Sequence, residues 1–136
     1  MTADDKVHHI TSAAELKDLF ARTTYLVVDF FADWCPPCRA IAPVFAQLAA
    51  RHADDDGRHL AFAKVNVDHV KDVALEYGVS AMPTFMFFKD GRQVMVNGQK
   101  AIQGADPRTL GAAVERLGGL ARKRAEEAAA AQPAAA

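Results

Sequence analysis

Residues 25–38 read YLVVDFFADWCPPC and combine the two features on which the fold depends. The first seven residues are β-branched, aromatic or aliphatic except for Asp29, which predicts a central strand covered on both faces. The last four hold Cys35 and Cys38, the only cysteines among 136 residues. This spacing places the two sulfurs within bonding reach across one helical turn. Closing so small a ring removes little chain entropy, so we predict a redox-active pair rather than a structural bridge.

The two cysteines are predicted to have different roles. A thiolate is the species that attacks a disulfide, and Cys35 lies where the strand gives way to a helix, at the positive end of the helix dipole. Cys38 lies one turn deeper in that helix. We therefore predict that Cys35 is the exposed nucleophile and Cys38 the resolving thiol, which attacks the mixed disulfide. Pro36 and Pro37 fit the first helical turn, where their missing N–H groups have no helical partner, and they make the site rigid.

Other chemistries of a Cys-x-x-Cys pair fit this chain less well. Zinc requires two further ligands, but the chain has no second such pair, and its five histidines show no paired ligand spacing. Haem attachment requires a histidine directly after the second cysteine, where this chain has Arg39. Redox chemistry is therefore favoured, and we predict no metal ligands.

Asp29 is the second notable residue, because a carboxyl group in the middle of a buried strand is removed from water and its pKa rises. Two interpretations are open from the residues alone. The carboxylate is satisfied by a partner such as Lys64 on the next predicted strand, or it accepts the proton of Cys38 during the reaction.

Periodicity and turn signals predict the remaining elements. Helices are expected over about 13–22, from Asp33 or Cys35 onward with a kink at Pro43, over 70–77, and from Pro107 to 117. Strands are expected over 60–67 and 84–88, followed by a turn at Asp90-Gly91 and a longer ribbon over 92–103. Strands and helices alternate first and a hairpin follows, so we predict an α/β fold whose mixed sheet has helices on both faces.

The domain is predicted to end at Gly118-Gly119. Residues 1–117 form the domain, and residues 118–136 are rich in alanine and charge, with too few large apolar residues to pack. We expect this tail to be a frayed helix that leads into a disordered end, because a short isolated helix is marginal in water.

Composition limits the partners and the compartment. Hydrophobic residues make up 51% of the chain and charged residues 24%, which is typical of a globular domain. The formal net charge of -1 offers no basic face for a nucleic-acid backbone, and the longest apolar run is too short to span a membrane. The first residues are acidic and lack an apolar stretch, so we expect a reducing cytoplasmic location. We also expect a monomer.

Taken together, these motifs resemble the thioredoxin family over residues 7–117. The matching features are Val28-Asp29-Phe30, Trp34 to Cys38, Pro43, Lys64, Tyr77-Gly78-Val79, Met82-Pro83-Thr84 and Gly104-Ala105. The chain departs from the family at Pro36, where glycine is usual, at Phe31, where many members have tryptophan, and in a longer interval between Gly91 and Gly104.

The resemblance implies a thioredoxin fold and assigns roles to residues around the cysteines. It implies a cis peptide bond before Pro83, which faces the cysteines, and an Asp29–Lys64 pair that tunes the site, with Asp29 as the proton acceptor. Targets would dock by strand addition along an apolar patch made of Ala81, Met82, Pro83, Trp34, Gly104 and Ala105.

The function implied is that of a protein-disulfide reductase with no bound cofactor other than the Cys35–Cys38 disulfide. Electrons would come from NADPH through a thioredoxin reductase and pass to disulfide-containing proteins. The absence of a histidine between the cysteines favours a reductase over an oxidant. The alternatives are a disulfide oxidase or isomerase, and a binding module that uses the same scaffold without redox chemistry.

Overall fold

The computed structural model describes residues 6–131 as six strands and four helices. The strands are β1 (Val7–Ile10), β2 (Tyr25–Phe31), β3 (Leu60–Asn66), β4 (Thr84–Lys89), β5 (Arg92–Val94) and β6 (Ala101–Gln103). The helices are α1 (Ala13–Arg22), α2 (Pro36–His52), α3 (Lys71–Glu76) and α4 (Pro107–Ala131). None of the helices within residues 6–131 has the length and apolar character needed to cross a membrane.

All six strands belong to one mixed sheet with the order β1-β3-β2-β4-β5, and β6 also pairs with β4. Strand β2 lies in the middle, parallel to β3 and antiparallel to β4. Its residues from Tyr25 to Phe30 are buried, as expected for a strand covered on both faces. The predicted mixed sheet is confirmed.

The two faces of the sheet support separate apolar clusters. Side chains alternate along each strand, so Val27 packs with Phe62 and Phe85 against α2 and α4, whereas Val28 and Phe30 pack against α1 and α3. Helices therefore cover both faces, and the predicted fold class is confirmed.

Capping residues and a tight turn define the ends of several elements. The Ser12 side chain accepts a hydrogen bond from the Glu15 N–H at the start of α1, and the Asp106 carboxylate accepts N–H groups of the first turn of α4. Asp90 and Gly91 both have positive φ, of 51° and 81°, as required at the two central positions of a tight hairpin turn.

The predicted ribbon over residues 92–103 is one edge strand interrupted by a loop. β5 pairs with residues 87–89 of β4 and β6 with residues 84–86, so the two short strands follow one another along the same edge. The chain leaves this edge between them, turns at Asn97-Gly98, and is closed by the bridge between Val96 and Gln99. Val96 is buried in the core and fixes the loop to the sheet.

Helix α4 does not end at residue 117, so the predicted end of this helix is wrong, whereas the boundary of the domain stays a prediction. The helix continues through both glycines to Ala131, and Gly118 and Ala121 are buried. A Cβ atom at Gly118 would lie 2.7 Å from Nδ1 of His52 on α2, so the absence of a side chain allows α4 to pack closely against this ring. This packing outweighs the low helix propensity of glycine. The expected disordered end over residues 132–136 lies outside the described residues.

Candidate active site

The two cysteines lie at the start of α2, directly after the central strand. Cys35 and Cys38 form a disulfide with their Cα atoms 5.2 Å apart. Cys35 is the N-cap of α2, and its Sγ accepts the backbone N–H of Cys38 at 3.2 Å. Pro36 and Pro37 occupy the first helical turn, where no N–H donor is needed. A backbone N–H directed at Sγ would favour negative charge on that sulfur once the disulfide is reduced.

Apolar neighbours shield the two cysteines of the disulfide from solvent. Cys35 and Cys38 are each only 3% exposed, and they cluster with Ala32, against which Val67 and Met82 also pack. The prediction that Cys35 is exposed is therefore wrong for this oxidised state, because apolar neighbours cover both cysteines. The asymmetry between the cysteines comes from the hydrogen bond to Sγ of Cys35, not from exposure.

The segment before β4 faces Sγ of Cys35. The Met82-Pro83 peptide bond is cis, as expected, and the Met82 carbonyl oxygen lies 3.6 Å from Sγ of Cys35. The Thr84 hydroxyl donates to the carbonyl of Ala81 at 2.6 Å, and the Gly104 N–H donates to the carbonyl of Pro83 at 2.9 Å. These bonds join the end of β6 to this segment and bring four of the six predicted patch residues together.

The remaining two patch residues, Trp34 and Ala105, lie next to Cys35 and Gly104 in the chain. Trp34 is 64% exposed beside the disulfide, and its indole N–H donates to Oδ2 of Asp68 at 2.9 Å. Ala105 follows Gly104 and packs against the core under α2 and α4. Asp68 is a site residue that the sequence reasoning missed. Its signal was available, because parallel β2 and β3 end at the same edge and Asp68 comes two residues after the end of β3.

Arg39 supports the loop that carries Trp34. Its guanidinium donates to the carbonyl oxygen of Asp33 at 2.7 Å, so the side chain turns back from α2 toward the site. This bond connects the first turn of the helix to the loop before it. Both residues are exposed, and the bond lies at the rim of the site.

Asp29 is fully buried and carries an unusual carboxyl group. Neither of its oxygens has a hydrogen-bond partner within residues 6–131. Burial removes the carboxylate from water and raises the pKa of Asp29 to about 7, and the positive charge of Lys64 offsets part of this effect. The carboxyl group is therefore poised to gain or lose a proton near neutral pH.

Lys64 does not satisfy Asp29 by direct contact. The two residues are register partners on neighbouring strands, but no ion pair within 4.0 Å joins them in the described part of the chain. The ammonium group of Lys64 instead lies over the Phe31 ring, 4.4 Å from its centroid. The interpretation of Asp29 as a carboxylate satisfied by Lys64 is wrong, because the cation acts on it only through space.

Metal binding finds no support in the geometry. Among residues 6–131, no group of three or more His, Cys, Asp or Glu side chains is arranged to hold a metal ion. The site consists of a disulfide, a buried carboxyl group and an apolar rim.

Comparison with known proteins decides the family. Residues 6–115 match the family model described as Thioredoxin. The chain belongs to the thioredoxin family. It is 70% identical over 118 residues to a thioredoxin-like protein of Fusarium culmorum, covering 87% of this chain and 96% of that protein. It is 55% identical over 124 residues to a thioredoxin of Neurospora crassa, covering 91% of this chain and 96% of that protein.

Solved thioredoxin structures agree with this assignment. The crystal structure of Malassezia sympodialis thioredoxin matches with a TM-score of 0.71 and 38% identity, over 82% of this chain and 90% of that one. Oxidised mitochondrial thioredoxin 3 of Saccharomyces cerevisiae matches with a TM-score of 0.71 and 31% identity, over 85% and 99%.

Family membership and the disulfide together define the activity. The chain is a thiol-disulfide oxidoreductase, a protein-disulfide reductase of the thioredoxin type whose redox-active group is the Cys35–Cys38 disulfide. Thioredoxins in general interact with disulfide-containing substrates and with thioredoxin reductase.

Proposed function

We propose that this reductase takes electrons from NADPH through a thioredoxin reductase and delivers them to disulfides in target proteins. The observation that carries the proposal is the Cys38 N–H at 3.2 Å from Sγ of Cys35, which favours a thiolate at the start of α2 beside an exposed apolar rim.

The reaction proceeds in two exchange steps. In the dithiol form, the Cys35 thiolate attacks one sulfur of the target disulfide, a mixed disulfide forms, and the other target sulfur leaves as a thiolate. Cys38, once deprotonated, attacks Sγ of Cys35 and releases the second target sulfur. The target gains two electrons and the Cys35–Cys38 disulfide forms. The dithiol of a thioredoxin reductase, reduced by NADPH, reverses this change.

Asp29 is proposed to take the proton of Cys38 in the second step. A base is most effective when its pKa lies near the working pH, and burial raises the pKa of Asp29 to about 7. The positive charge of Lys64 opposes this rise in pKa and would keep a larger fraction of Asp29 ionised. The substitution Asp29→Asn should therefore slow resolution of the mixed disulfide more than its formation. Stopped-flow fluorescence of Trp34, the only tryptophan, measures both rates, and a larger effect on formation would contradict the role.

Target proteins are proposed to dock on the apolar patch around the disulfide. Trp34 and Ala81 are exposed there, and Met82, Gly104 and Ala105 are half-buried. An extended target segment beside Ala81 to Pro83 would add main-chain hydrogen bonds of the strand-addition kind. Replacing Trp34 by alanine should raise KM for a protein disulfide more than it lowers kcat, because the indole contacts the target rather than the reacting sulfurs.

Insulin reduction tests the function as a whole. With NADPH and a thioredoxin reductase, the protein should reduce insulin disulfides, as followed by NADPH consumption and by precipitation of the free chains. The Cys35→Ser variant supplies the matched control, since it keeps the fold and removes the nucleophile. Turnover no faster than with the Cys35→Ser variant would contradict the proposal.

We also propose that the protein acts in the cytoplasm as a monomer, because a reductase of this kind needs a steady supply of NADPH and a free apolar patch. Fractionation of cells that express the tagged protein tests the location. Light scattering across a range of concentrations tests the monomer.

A further inference from the structure

The last residue of β2, Phe31, competes with Asp29 for the same cation. Side chains alternate along a strand, so Asp29 and Phe31, two residues apart, point to the same face of the sheet. Lys64 on β3 is the register partner of Asp29 and is directed to this face as well. Its ammonium group therefore has two neighbours that attract positive charge, a carboxyl group and an aromatic ring.

In the structure the cation lies on the ring. The Nζ atom of Lys64 is 4.4 Å from the centroid of Phe31, within the range in which a ring face attracts an ammonium group. Within residues 6–131, Asp29 has neither an ion pair with Lys64 nor a hydrogen bond from any side chain. An ion pair with the fully buried carboxylate would require both charges to leave water, whereas the ring holds the ammonium at a half-buried position.

The same residue belongs to the surroundings of the reacting pair. Phe31 packs against the cluster of Ala32, Cys35 and Cys38. We propose that Phe31 is a positioning residue whose ring binds the Lys64 ammonium and keeps that cation from pairing with Asp29, the residue that receives the proton of Cys38. This inference rests on the proposed role of Asp29.

The consequence for Asp29 depends on the charges that face it. Among the described residues, Lys64 on β3 is the charged group that shifts the pKa of Asp29. The register partner of Asp29 on β4 is the apolar Phe85. The cysteines of α2 do not titrate in the oxidised protein. If Lys64 left the ring and reached Asp29, the close cation would lower the pKa of this carboxyl and make it a weaker base.

Two ring-free variants, which lack an aromatic ring at position 31, and one variant that keeps an aromatic ring there test the proposal. In Phe31→Leu and Phe31→Met, Lys64 is free to pair with Asp29, and the titration midpoint of the Asp29 carboxyl carbon should fall by about one pH unit or more. The midpoint is read by carbon-13 NMR of the oxidised protein. Phe31→Trp keeps an aromatic face and should retain the wild-type midpoint. The pH dependence of mixed-disulfide resolution should move to lower pH with the midpoint.

A double-mutant cycle separates positioning from simple packing. In a Lys64→Met background the ring has no cation to hold, so Phe31→Leu should no longer move the Asp29 midpoint. A midpoint that stays unchanged or rises in both ring-free variants would overturn the proposal, and so would an equal shift with and without Lys64.

The NMR readout is independent of the proton-acceptor role. If Asp29→Asn leaves resolution unchanged while the ring still controls the midpoint, only the role of Asp29 fails. If Asp29→Asn slows resolution but the ring has no effect on the midpoint, only the positioning role of Phe31 fails.

Discussion

The carboxyl group of Asp29 opposes folding whenever it is ionised. It is fully buried, and its oxygens have no partner within residues 6–131, so the charged form has lost its hydration without compensation. The pKa of Asp29 is accordingly raised from 3.8 to about 7 in the folded protein. Proton uptake therefore favours the folded state. This contribution to stability is fully present below about pH 3.8 and is lost as the pH rises through about 7.

The first prediction concerns the pH dependence of stability in the oxidised protein. The Asp29 contribution to the free energy of unfolding should fall by as much as about 4 kcal/mol between pH 4 and pH 8, since each unit of difference in pKa corresponds to about 1.4 kcal/mol. The Asp29→Asn variant should lack this fall and should be the more stable protein at pH 8. Guanidinium unfolding at several pH values measures the difference, and parallel pH profiles for the two proteins would contradict the account.

Some features of the site could be predicted from single residues and some could not. The placement of Cys35 and Cys38 at a helix start follows from the strand that precedes them, and the buried setting of Asp29 follows from the apolar residues around it. The exposure of Cys35 and the position of the Lys64 ammonium could not be predicted. Both depend on side chains that only the folded chain brings close, such as Met82 and Phe31.

Among the helices, α4 shows how packing overrides a local signal. Two consecutive glycines predict a helix end, yet Gly118 is buried where α4 crosses α2. The nitrogen Nδ1 of His52 has no hydrogen-bond partner among the described residues, and burial, together with the nearby Arg122 and Arg51, lowers its pKa. A neutral imidazole therefore packs against the bare backbone of Gly118.

A matched pair of substitutions in α4 tests this contact. Gly118→Ala places a Cβ atom 2.7 Å from the His52 ring, and the resulting displacement should outweigh the gain in helix propensity and destabilise the protein by about 1 kcal/mol. Gly111→Ala meets no atom within 4 Å and should stabilise it by about 0.5–1 kcal/mol. Guanidinium midpoints compare the two, and a gain in stability for both would show that α4 does not depend on close approach at Gly118.

The burial of Gly118 and Ala121 indicates how much of α4 the fold requires. Ala121 is buried in the main core, whereas Arg122, Lys123 and Arg124 are exposed. A chain ending at residue 121 should keep the thermal midpoint and the insulin reductase activity of the full chain. A chain ending at residue 117 should melt at a lower temperature, because it loses the packing of Gly118 and Ala121. Equal midpoints for the two truncated chains would support the predicted domain boundary at residue 117.

The fold as a whole was predictable because local patterns and long-range packing agree along most of the chain. The strong strand Tyr25–Phe31, the capped starts of α1 and α4 and the turn at Asp90-Gly91 lead to the same mixed sheet. The path of residues 92–103 was not predictable in detail. Two turn signals are compatible with a separate hairpin, and only pairing of both short strands with β4 selects a single interrupted edge strand.

Trapping of a mixed disulfide tests most directly that Cys35 initiates disulfide reduction. The Cys38→Ser variant, reduced and mixed with an excess of insulin, should accumulate a covalent complex through Cys35, because the resolving thiol is missing. The Cys35→Ser variant should accumulate little, since Cys38 lacks the N–H group that favours a thiolate at Cys35. Intact-protein mass spectrometry after acid quenching measures both. Equal trapping by the two variants, or trapping by Cys35→Ser alone, would contradict the mechanism.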